Sequence, residues 1–441
     1  MRLRPSSFQR SLVAGALAVT AVLSGAPIAH AAPDTAPALH GGPVTGCLDH
    51  SVVGTVEEQR LTRGVNGGPS VPAEILRRTG FDHQVGVFAQ LLCRVPNRKA
   101  AAALVRAHGE ALWRAATHRA QHAPRGTDAL PSTDDRGLYW ARLSMALTLR
   151  QWQPSFGLTT TERAELIRSF EYASRGITST RFSPGVQKIL VTGFDPFTLD
   201  ADIRIGNPSG ANALTLDGRR WTVNGRTYEI QTVVFPVRYT DFDESMVENT
   251  LAPHYRPGPQ HADVVMTSSQ GRAGIFDLEA FNGRRRSVSS IGDNNNLWGG
   301  GTISAPVVSP SMPPGPEWIT SSLPLARMAQ TAVPAPFRTR VNTSVLEIPA
   351  GETTPVRRPD GPTAGSIASE GTGGGYLSNE VAYRNTLQRD LLDPSMPAGH
   401  LHVPVLSFDL ANKTAVTDPT YEANREAILA GAHAILRAAL S

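Results

Sequence analysis

Gly374-Gly375-Tyr376-Leu377-Ser378-Asn379-Glu380-Val381-Ala382-Tyr383 is the stretch from which the fold is read. A glycine run leads into Ser378, and Val381, Ala382, Leu387 and Leu391 then recur at near-helical spacing. Ser378 therefore falls at or just before a helix N-terminus, where backbone N–H groups lack intrahelical partners and the helix dipole favours negative charge. That position suits a nucleophile and an oxyanion. By itself Ser378 reads better as an ordinary N-cap, since serine is a preferred cap.

Downstream, His400-Leu401-His402-Val403-Pro404 places His402 in or beside a short apolar strand that a proline ends. It is a general-base candidate only if the fold carries it to Ser378. Upstream, Gln270-Gly271-Arg272-Ala273-Gly274-Ile275 directly follows a β-rich run, where α/β sheets place their sites. Glu279, a little further on, reads either as a group that orients a histidine or as a solvated helix residue.

Further out, the β-rich runs are Lys188 to Thr192, Tyr228 to Val237, Ala262 to Thr267 and Leu401 to Leu406. A helical pattern carrying Phe242, Met246 and Leu251 separates the second from the third, and Tyr421 to Leu440 is a closing helix. Strand, helix, strand at this spacing indicates α/β layering over a mostly buried sheet. Gly283 to Glu317 and Ile348 to Thr363 are long loops rich in Gly, Pro, Asn, Ser and Thr, a length that favours lids or insertions.

The order of these pieces resembles the pyroglutamyl peptidase I family. Val191-Thr192-Gly193-Phe194-Asp195-Pro196-Phe197 stands where that family has its first strand and G-F-E-P-F loop, and Asn207-Pro208 matches its asparagine–proline pair. Phe235-Pro236-Val237 is similar to L-P-V, Gly271-Arg272-Ala273-Gly274-Ile275 to G-R-x-x-I, and Ser321-Ser322-Leu323-Pro324 to S-T-L-P. Tyr376-Leu377-Ser378-Asn379 with Val381-Ala382-Tyr383 matches Y-L-C-N followed by V-x-Y, except that serine replaces the catalytic cysteine. Gly399-His400-Leu401-His402-Val403-Pro404 matches G-x-I-H-V-P.

The resemblance implies a three-layer α/β/α sandwich with a mixed sheet over residues 186–441. It implies removal of an N-terminal pyroglutamyl residue from peptides, with no metal and no cofactor. Carried over, Ser378 is the nucleophile, His402 the base and Glu279 the triad acid. Phe194 and Phe197 would pack on the pyrrolidone ring, Asn207 would hold their loop, and Gln270, Gly271 and Arg272 would complete the substrate site. Two departures stand out. Leu278 holds the family's spacing from the arginine and Glu279 comes one residue later. Serine is also far harder to ionise than a thiol, so it needs base assistance throughout attack. The alternative reading is a catalytically silent protein that binds pyroglutamyl peptides or serves in interactions. Against it, an exported cysteine is open to oxidation and a serine is not.

The N-terminal part reads differently. Arg2, Arg4 and Arg10 precede an apolar run from Leu12 to Leu23, and Ala29-His30-Ala31 offers a signal-peptidase site. Residues 1–31 are thus expected to be a signal peptide and the protein secreted, with no membrane attachment after cleavage. Cleavage removes three arginines and no acid, which takes the formal charge from +4 to +1, so nucleic acid is not an expected partner. Residues 32–46, rich in Ala, Pro and Gly, read as a disordered mature N-terminus. Residues 47–182 read as an all-α accessory region. Asn97 caps one helix, Tyr139 to Trp152 forms another, and a Thr159–Glu162 capping box opens a third. No catalytic constellation is visible there. Cys47 and Cys93 are the only cysteines, and in an oxidising compartment they are expected to pair. A homo-oligomer is left open.

Overall fold

The computed structural model of the protein describes residues 46–123 and 126–441. The signal-peptide reading and nearly all of the disordered-terminus reading fall outside them. Six helices come first: α1 (Val56–Gln59), α2 (Val71–Thr79), α3 (Phe81–Leu92), α4 (Arg98–Ala120), α5 (Arg136–Gln151) and α6 (Thr160–Ala173). The expected caps form. Asn97 accepts the Ala100 N–H at 2.9 Å, and Thr159 and Glu162 bond reciprocally at the start of α6. Each satisfies donors that the first turn leaves unpaired.

The α/β region begins with β1 (Gln187–Phe194), α7 (Pro208–Leu216), β2 (Arg220–Val223), β3 (Arg226–Phe235), α8 (Tyr239–Asp243) and α9 (Met246–Tyr255). It continues through β4 (Val264–Gln270), β5 (Ile275–Glu279), β6 (Phe281–Gly283), β7 (Trp318–Thr320), α10 (Leu325–Ala329), β8 (Arg338–Asn342), β9 (Val345–Ile348), β10 (Val356–Arg358) and β11 (Ile367–Glu370). It closes with α11 (Leu377–Leu392), β12 (Ala398–Val403) and α12 (Pro419–Ala439).

Seven strands make one mixed sheet in the order β2-β3-β1-β4-β12-β5-β8. β3, β1, β4 and β12 run parallel, and β5 is antiparallel to β12. Alternation along β1 explains the layering. Ile189 and Val191 pack with α12 and Met328 of α10, whereas Leu190 faces α9 and α11. β9, β10 and β11 form a small separate sheet, and β6 pairs with β7. Glu279 lies on strand β5, not on a helix, and is fully buried.

The helical core does not end at α6. Leu199, Ile203, Ala213, Leu214 and Val234 bury into the same cluster as Trp113, Trp140 and Leu149. Buried ion pairs join the regions too, notably Arg142 and Arg175 on Asp195. The described residues all belong to one compact unit.

Cys47 and Cys93 form a disulfide, with Cα atoms 5.6 Å apart and a sequence separation of 46. It ties the start of the described chain to the end of α3, while Gln153 N–H donates to Cys47 C=O at 2.7 Å. Closing a loop of this size restricts the unfolded chain by up to about 4 kcal/mol in the chain-entropy account. Replacing both cysteines by alanine is expected to lower unfolding stability by about 2–4 kcal/mol, measured by denaturant titration of the oxidised protein. An unchanged midpoint would mean the bridge constrains nothing.

Candidate active site

The parallel strands β3, β1, β4 and β12 finish on one edge of the sheet, where open α/β sheets place ligand sites. A small cleft opens there, lined by Phe194 and Phe197, Asn207, Val237, Ser269 and Gln270, and Tyr376, Leu377 and Ser378. Five of the nine residues named for the site from sequence therefore meet in one cleft: Phe194, Phe197, Asn207, Gln270 and Ser378. Phe194 ends β1 and stacks on Phe242, while Phe197 stacks on Tyr376 with ring centres 6.3 Å apart. Asn207 is buried. Its side chain donates to the Asp195 carbonyl at 2.9 Å and accepts from the Ser209 N–H at 3.0 Å, so it fixes the loop and caps α7 together. The Gln270 side-chain oxygen is buried without a hydrogen-bond partner among the described residues. Such an acceptor in a mostly apolar cleft is suited to a ligand N–H.

Ser378 is the second residue of α11, and Tyr376 takes the N-cap position without a side-chain cap. The first-turn amides thus retain free N–H groups beside the serine. The hydroxyl donates to the Gly373 carbonyl at 3.2 Å. Gly373 also lies against His402, since a Cβ there would sit 3.2 Å from the His402 Cε1. The serine and the histidine edge therefore share one neighbour. Asn379 holds this turn in place: its side chain accepts from Gly283 N–H at 2.9 Å and donates to Gly283 C=O at 2.7 Å.

His402 Nδ1 and Glu279 Oε1 are 2.6 Å apart, both groups buried. In the ladder His402 faces Asp277 and Glu279 faces His400, so the contact is diagonal. Asp277 is engaged elsewhere, by Arg340. The other Glu279 oxygen accepts from Asn342 Nδ2 at 3.0 Å, and that amide also donates to Thr372 C=O at 2.7 Å. Sequence reasoning missed Asn342, which sits on a short polar strand without a distinctive pattern. His400 lies between the hydroxyls of Thr267 and Ser269, each at 2.8 Å. Both its ring nitrogens are thus engaged, it is fully buried, and burial pushes its pKa well below the usual histidine value, which leaves His402 as the base candidate.

Gly271 and Arg272 fall elsewhere. Gly271 lets β12 approach, because a Cβ there would come within 2.7 Å of His402 Cβ. Arg272 is largely exposed, with its nearest carboxylate, Asp277, at 3.8 Å, and is not in the cleft wall.

Comparison with known proteins gives two kinds of similarity. Solved structures of a mutant pyrrolidone carboxyl peptidase from Pyrococcus furiosus and of pyroglutamyl peptidase I from Bacillus amyloliquefaciens each align with 58% of this chain and with 98% and 96% of theirs. The identities are 19% and 18%, with a TM-score of 0.38 for both. At these scores the likeness bears no functional weight, and the site's own geometry has to bear it. The second similarity spans both regions. The "Uncharacterized protein PA0049" of Pseudomonas aeruginosa is 34% identical over 82% of this chain and 83% of its own length. The family models described as the PA0049 N-terminal domain and the PA0049 C-terminal domain match residues 36–171, and 188–310 with 332–407, in that order. This chain belongs to the PA0049 family.

Proposed function

We propose that the protein is a secreted hydrolase that removes an N-terminal pyroglutamyl or related cyclic acyl group from peptides, with a serine nucleophile. The observation that carries this reading is the buried Glu279–His402 pair at 2.6 Å, which shares the neighbour Gly373 with a serine at an uncapped helix N-terminus that lines a mostly apolar cleft. An imidazole oriented by a carboxylate, a nearby hydroxyl and free backbone donors are the parts that acyl transfer requires.

The steps follow from those parts. A flat lactam ring enters beside Phe194 and Phe197, with its N–H toward the Gln270 oxygen. Ser378 Oγ leaves the Gly373 carbonyl by a rotation about χ1, passes its proton to His402 Nε2 and attacks the acyl carbon. His402 Nδ1–H stays on Glu279, which stabilises the imidazolium. First-turn amides of α11 hold the oxyanion. Collapse breaks the C–N bond, and the leaving amine takes the proton from His402. Water, deprotonated by His402, then attacks the acyl carbon of the Ser378 ester; the C–O bond to Ser378 breaks, Ser378 Oγ takes the proton back from His402, and pyroglutamate leaves.

Pyroglutamyl and prolyl anilides, which share a five-membered ring and differ in the ring carbonyl and charge, separate this reading from a general aminopeptidase. The expected result is at least about 100-fold higher kcat/KM for the pyroglutamyl compound, since a site built to pair a lactam rejects an analogue that leaves its groups unmatched. Equal rates on both, or turnover of neither, would overturn it.

A further inference from the structure

We infer that the helical region is part of the substrate site: Arg142 and Arg175 at one end, and Arg60 at the other, are positioning residues that fix the Phe194–Asp200 loop and so the ring-binding face of Phe197. This rests on the proposed reaction only for its consequence for substrate, not for the clamp itself.

Between β1 and α7 the chain crosses from the sheet into the helical core. At the near end the Asp195 carboxylate is held by Arg142 Nη1 at 2.7 Å and Arg175 Nη1 at 2.6 Å, all three side chains buried. At the far end Asp200 receives two hydrogen bonds from Arg60, at 3.0 and 2.6 Å, in a bidentate fork. Arg63 also bonds it. Leu199 is buried in the helical core. Phe197, in the middle, is the part of the loop that lines the cleft and stacks on Tyr376. Thr198, next to it, has φ +58°, a left-handed conformation that a non-glycine residue keeps only when its surroundings impose it.

The arginine contacts on this loop all come from the helical region, and they act beside Asn207 and Asn294, whose side chains hold the Asp195 and Pro196 carbonyls. A loop with no clamp would sample other positions of Phe197, and displacement of a positioning group by about 1 Å costs rate and affinity steeply. Because Phe197 contacts the ring in the ground state and in the transition state alike, the loss belongs in KM.

The test uses the full mature protein. Asp200 is about half exposed (47%), so Asp200→Ala leaves the fold intact, which circular dichroism and the thermal midpoint check. KM for a pyroglutamyl anilide is expected to rise about 10-fold or more with kcat within about 3-fold. Asp200→Glu is expected to recover part of the loss, and Arg142→Lys to act as Asp200→Ala does from the other end. A folded Asp200→Ala with unchanged KM overturns the inference. If the wild type does not hydrolyse the anilide, the reaction fails but the clamp does not, and amide hydrogen exchange decides it. Phe194 N–H, bonded to Ser209 Oγ at 3.1 Å, and Asp195 N–H, bonded to Phe235 C=O at 3.0 Å, are then expected to exchange about 10-fold faster in Asp200→Ala. Unchanged exchange at both overturns the clamp.

Discussion

Ser378→Ala is expected to lower kcat for a pyroglutamyl anilide by about 10³-fold or more, with KM little changed. Removing a triad nucleophile costs on this scale because the residual rate comes only from binding and the oxyanion donors. The alanine should not unfold the protein. Ser378 makes a single side-chain hydrogen bond, to the Gly373 carbonyl, and alanine is a good helix former at the start of α11. Equal kcat values for the two proteins would remove Ser378 from the chemistry. Ser378→Cys carries further information. The same free amides and the same His402 would stabilise a thiolate, so turnover by this variant is expected too. Turnover by Ser378→Cys with an inert wild type would instead favour a silenced site that binds without cleaving.

Glu279→Gln is the second large effect, expected at about 10³- to 10⁴-fold in kcat. The cause lies in the hydrogen-bond chain. Asn342 Nδ2 donates both to Thr372 C=O and to Glu279, so its orientation is fixed and it demands an acceptor. A glutamine must answer with its carbonyl oxygen and turn its NH2 toward His402. His402 Nδ1 then has to accept, its proton moves to Nε2, and the imidazole cannot take a proton from Ser378. The substitution is isosteric and removes a charge from a fully buried position, so folding should persist. A kcat within about 10-fold of wild type would show that Glu279 serves structure alone.

Much of this site is legible in the sequence because local pattern encodes it. The glycine run before Ser378, the caps at Asn97 and Thr159, and the β-rich Lys188 to Thr192 correspond to α11, α4, α6 and β1. The late strand is less legible: it spans Ala398–Val403 rather than Leu401 to Leu406, because the Pro404 ring removes a ladder donor at its end. Glu279 is ambiguous by spacing, since a five-residue strand is too short to show a period that excludes a helix. The strands β8 to β11 are three to five residues long, too short to show a strand period. Arg272 follows the motif yet is exposed, because a motif fixes residue type and order but not the direction of a side chain. The role of the helical region is invisible for another reason. Arg142 meets Asp195 across 53 positions and Arg60 meets Asp200 across 140; pairs this distant leave no local signature, so the region reads as helices without chemistry.

Acid-quenched turnover of a pyroglutamyl anilide, followed by peptide mass analysis, shows whether Ser378 is acylated. A pyroglutamyl ester is expected on the peptide that contains Ser378, formed as the aniline is released and lost as pyroglutamate appears. Aniline release with the acyl group on another residue, or no release at all from the folded protein, would contradict a serine pyroglutamyl hydrolase.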